Sequence, residues 1–147
     1  MPVNLAEDYI MHGTRYIRWN CVSSSGQVST TSTGSMALDV YGTLSNVKWT
    51  PDDSGGVIFT GNNVPAAGWD CDILCSQYSS GGNQVFGFNH DVAYGLGTNL
   101  STAGPTQGMP VDGVNGGPIY LNGHRLKPYS TNAGDAKKFT IELMIGL

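Results

Sequence analysis

Phe139, Ile141, Leu143, Ile145 and Leu147 occupy every second position at the end of the chain, with Thr140 and Glu142 pointing the other way. Only an extended backbone places residues two apart on one face, so this pattern demands a strand with one buried side. The same period recurs at Ile17, Trp19 and Cys21, with Tyr16, Arg18 and Asn20 opposite. From Met36 to Leu44, the residues Met36, Leu38, Val40 and Leu44 read as inward, and Asp39 and Thr43 as outward. Val47 with Trp49, Val57–Thr60, Trp69–Ile73 and Val85–Phe88 read as further short strands. Turn chemistry separates them: Pro51 to Gly56, then Gly61-Asn62-Asn63, then Ser79 to Asn83. Ile119 to Leu126 reads as a hairpin, because Asn122-Gly123 supplies two residues that tolerate the positive φ of a type I′ turn. Seven or eight short strands with turns between them predict one all-β domain over residues 1–147, an antiparallel β-sandwich of jelly-roll-like build. Ile17, Trp19, Leu38, Val40, Trp69, Ile73, Phe88, Ile141, Leu143 and Ile145 are its expected core.

Two segments do not fit the alternation. Residues 1–14 allow a short helix over Leu5–His12, capped by Asn4 and ended by Gly13, or an extended arm. Residues 94–118 hold seven Gly and three Pro and no periodic element. Loops of that length inside a compact domain are usually functional or disordered. Ordering them costs roughly 1–2 kcal/mol per residue with little apolar area to offset it. Both segments are therefore expected to be held by a neighbouring molecule. Leu5, Tyr9 and Met11 in the first, and Leu96, Leu100, Met109, Val111 and Val114 in the second, are the apolar side chains they would offer.

The composition excludes several functions. Net charge is −4, and no Lys or Arg stands between Lys48 and Arg125. Nucleic-acid binding needs clustered cations and is not expected. No apolar run approaches the ~18 residues of a membrane-spanning helix. Residues 1–8 lack the basic and apolar regions of a signal peptide, and three cysteines fit a reducing cytoplasm better than a disulfide framework. Cys21 reads as a buried hydrophobe. Cys71 and Cys75, His12, His90 with Asp91, and His124 form no recognisable zinc spacing, and Asp52, Asp53, Asp70 and Asp72 read as turn and surface acids. His90 is the best lone candidate for a catalytic base, but no nucleophile elbow or phosphate loop accompanies it, so no catalytic residue, metal or cofactor is assigned. Trp19, Trp49 and Trp69, with Asn62, Asn63 and Asn83, allow an alternative role as a glycan-binding platform.

The run Ser35-Met36-Ala37-Leu38-Asp39-Val40-Tyr41-Gly42-Thr43-Leu44-Ser45-Asn46-Val47-Lys48-Trp49-Thr50-Pro51-Asp52-Asp53 resembles a strand–turn–strand of small β-sandwich virion proteins of tailed bacteriophages. The closing strand Phe139–Leu147 is similar too. The resemblance covers about a quarter of the chain and is to the capsid decoration, or cement, proteins. It implies a non-enzymatic structural protein of the virion, assembled in the host cytoplasm. Its partners would be the major capsid protein and copies of itself, commonly as a homotrimer. No site residue is carried over from that family.

Overall fold

A computed structural model describes residues 3–23, 37–51, 64–66, 68–77, 106–108, 118–131 and 133–147. Seven strands run in chain order: β1 (Val3–Met11), β2 (Thr14–Val22), β3 (Ala37–Pro51), β4 (Asp70–Gln77), β5 (Thr106–Gly108), β6 (Ile119–Thr131) and β7 (Lys138–Gly146). All pair antiparallel in one sheet of order β1-β2-β7-β3-β6-β4, with β5 added to β3. No described residue is helical. The all-β expectation holds, and the sheet is sandwich-like because it folds over. Trp69, beside β4, packs on Phe139 of β7 with ring centroids 4.7 Å apart. Three strand spacings separate β4 from β7, roughly 14 Å if the sheet were flat.

The core lies where the period-two pattern placed it. Ile17, Trp19, Cys21, Val40, Trp69, Phe139, Ile141, Leu143 and Ile145 are buried. The Leu38 and Ile73 side chains, Phe88, and the expected strands 57–60 and 85–88 lie outside the described residues.

Four local expectations are corrected. The first concerns residues 1–14, of which the described residues 3–14 contain neither helix nor free arm. β1 forms a hairpin with β2 through His12-Gly13, both at positive φ (51° and 75°), as a two-residue type I′ turn requires. The second is the hairpin at Asn122-Gly123. β6 runs straight through it, and Gly123, at φ 75°, is an extra residue in the strand. It balances a second extra residue, Asp39 (φ 51°), in facing strand β3, so the β3–β6 register is the same on either side of the paired bulges. The Asn122 N–H turns inward to donate to His124 Nδ1 at 2.7 Å. The third is the inward set of residues 36–44. The Asp39 bulge shifts the phase, burying Ala37 with Val40 and Leu44. A further bulge at Ser45, whose hydroxyl donates to the Met144 carbonyl at 2.9 Å, shifts it again so that Val47 and Trp49 face the core. Val47 and Trp49 thus belong to the same 15-residue strand rather than a separate one. Finally, residues 94–118 do contain a paired element, since Thr106–Gly108 hydrogen-bonds to Val47–Trp49 of its own chain.

Ser23, just past the end of β2, is a buried clamp. Its Oγ donates to the Gly134 carbonyl at 2.5 Å and accepts from the Lys137 N–H at 3.0 Å. Its backbone pairs with Lys137 and Ala136, closing the turn that leads into β7.

Candidate interaction face

The register rules the outer face of the sheet, the one turned away from the core. β1 carries one extra residue between Leu5 and Glu7. Leu5 therefore sits opposite Trp19 and packs on the core, whereas Glu7, Tyr9 and Met11 are set on the other face. Of the three apolar residues expected to bind a neighbour in this segment, the structure buries Leu5 in part and exposes Tyr9 and Met11, at 45% and 57%. Leu96, Leu100, Met109, Val111 and Val114 lie outside the described residues.

Strand pairing assembles these exposed side chains into cross-strand rows. One row runs Tyr9, Tyr16, Met144, Asn46 across β1, β2, β7 and β3. The Tyr9 and Tyr16 rings meet at 5.1 Å in a tilted pair. Tyr9, Met11, His12, Thr14, Tyr16 and Met144 line a shallow cleft of about 210 Å³. Tyr120 and Tyr41 extend the exposed aromatic surface onto β6 and β3, at 62% and 54% exposure. A second row runs Glu7, Arg18, Glu142, Lys48 over the same four strands, so the charge alternates in sign. Arg18 reaches Glu7 at 3.3 Å. The Tyr16 hydroxyl hydrogen-bonds to the Glu142 carboxylate, and its pKa is pushed up to about 12, first by burial and then by the Glu142 charge.

Towards the core side of the same edge, Arg15 forks onto Asp8, with Nε and Nη2 each 2.7 Å from a carboxylate oxygen, and donates from Nη1 to the Asp39 carbonyl at 3.1 Å. This two-pronged pair raises the Arg15 pKa, chiefly through the Asp8 hydrogen bond. It ties the β1–β2 hairpin to the bulge in β3.

The tryptophan platform is not formed. Trp19, Trp49 and Trp69 are all fully buried. The buried Cys21 thiol is pushed up by desolvation, and burial lowers the pKa of His124. Among the described residues, no three His, Cys, Asp or Glu side chains gather as a metal site, and no helix is long and apolar enough to cross a membrane. His90, Asp91, Asp52 and Asp53 lie outside the described residues, as do the side chains of Cys71, Cys75, Asp70 and Asp72. No protein-family model matches the chain, and comparison with curated proteins and with solved structures finds no match. The outer-face rows escaped the sequence reading because their members come from four separate segments.

Proposed function

We propose that the chain is a non-enzymatic structural protein of a phage particle, a capsid decoration protein that binds capsid subunits and copies of itself on the head surface. The observation that supports this is the band of exposed Tyr and Met side chains on the back of a sheet whose other side is a closed core. Contiguous apolar surface of this kind marks an interaction site, and Tyr and Met are enriched at such contacts. A rigid sheet presents them already ordered, which lowers the entropy cost of binding. The test is reconstitution. Heads of the phage that encodes the chain, prepared without it, are mixed with the purified full chain and heated. Co-sedimentation with the heads and a raised disassembly temperature are expected. A chain that stays in the supernatant, or heads equally stable without it, would overturn the reading.

A further inference from the structure

We infer that the outer face of β1, β2, β7 and β3 binds a second copy of this chain in a two-fold, face-to-face pair. The charged row reads minus, plus, minus, plus from Glu7 through Arg18 and Glu142 to Lys48. Reversed, it reads plus, minus, plus, minus. A two-fold axis parallel to the strands, lying between β2 and β7, performs that reversal. It sets Glu7 opposite Lys48 of the second copy and Arg18 opposite Glu142 of the second copy, and each contact occurs twice. The same axis sets Tyr16 against Met144, and Tyr9 against Asn46, across the interface. Every charge of that row meets its opposite, and Tyr9, Tyr16 and Met144 are covered. Three strands of nine residues and the Thr43–Pro51 part of β3 span roughly 19 by 30 Å, so two faces bury about 1,100 Å², above the ~1,000 Å² a specific interface needs. Sheets pack about 10 Å apart with their strands within about 30°, which the geometry of two such faces permits.

The inference rests on the reading of this face as an assembly surface and commits its occupant to a second copy. It replaces the three-fold arrangement that the resemblance implies. Sedimentation of the full chain should give twice the 15.5 kDa chain mass, with a dissociation constant that rises with salt. Arg18→Glu and Glu142→Lys should each weaken the pair about 100-fold, because each creates two like-charge contacts. Mixing the two variants should restore a dimer, since one variant's row is complementary to the other's at all four positions. A purely intramolecular ladder predicts no rescue on mixing. Circular dichroism checks that each variant is folded. Lys48→Glu with Glu7→Lys, at the two ends of the row, forms a second complementary pair should either of the first fail to fold. A monomeric or trimeric wild type, or variants that do not pair when mixed, would overturn the inference. A dimer that ignores capsids leaves it standing and removes the virion reading, whereas a monomer that binds capsids does the reverse.

Discussion

Gly42→Ala should be among the most damaging single-methyl changes in this chain. Gly42 lies where β3 passes from pairing with β6 to pairing with β7, and its φ is 125°. An added Cβ would overlap the Gly146 carbonyl oxygen outright and lie 2.9 Å from Ile145 Cγ2. The obstacle is backbone, so the end of β7 must move. The φ value alone costs an L-residue about 1–3 kcal/mol. Moving β7 at this point uncovers part of Ile145, which is fully buried, at up to about 1.5–3 kcal/mol. It also strains the ladder at Thr43–Gly146, for about 1 kcal/mol. The expected loss is about 3–6 kcal/mol, a large part of the ~5–15 kcal/mol that holds a domain folded. Gly13→Ala is the control. Gly13 has φ 75°, but its Cβ would meet nothing within 4 Å, so only the backbone term applies, about 1–2 kcal/mol. Urea unfolding at one fixed protein concentration compares them. With a slope near ~2 kcal/mol per molar, the Gly42 variant should unfold about 2 M earlier and the Gly13 variant less than about 1 M earlier. Equal shifts would refute the close approach of β3 and β7.

Leu143→Ala removes a fully buried side chain at the centre of β7 and should cost about 2–5 kcal/mol by the same unfolding measurement; a cost under about 1 kcal/mol would contradict its burial. Tyr16 should ionise near its raised pKa of about 12 in an ultraviolet titration, a step absent from Tyr16→Phe. An unfolded tyrosine ionises near ~10, so from there to about 12 the unfolded chain loses its proton first and stability falls as pH rises. Tyr16→Phe should flatten that decline, and an unchanged alkaline slope would show that Glu142 and burial do not hold the phenol protonated.

The run Ser35–Asp53, whose resemblance to phage cement proteins implies a strand–turn–strand, is over Ala37–Pro51 the single strand β3, which lies beside β7.

The period-two residues of β2 and β7 were legible in the sequence because burial on one face of a strand imposes a strictly local pattern. Ile17, Trp19, Ile141, Leu143 and Ile145 follow it without interruption, and all are buried. The positive-φ sites were legible only in part. Asn122-Gly123 and His12-Gly13 both permit a reversal, yet one is a bulge and the other a turn. What decides between them is the strand lying alongside: β3 brings its own bulge at Asp39 to face Gly123, and β2 follows His12-Gly13 at once. The direction of Tyr9 and Met11 was hidden for the same reason. One extra residue after Leu5 moves them from the core side to the outer face, and no local signal marks it. The alternating charges of Glu7, Arg18, Glu142 and Lys48 exist as a row only once four distant segments are in register. Side-chain period is a property of each strand and is written in it, whereas register is a property of pairs of strands and is set by contacts across the chain.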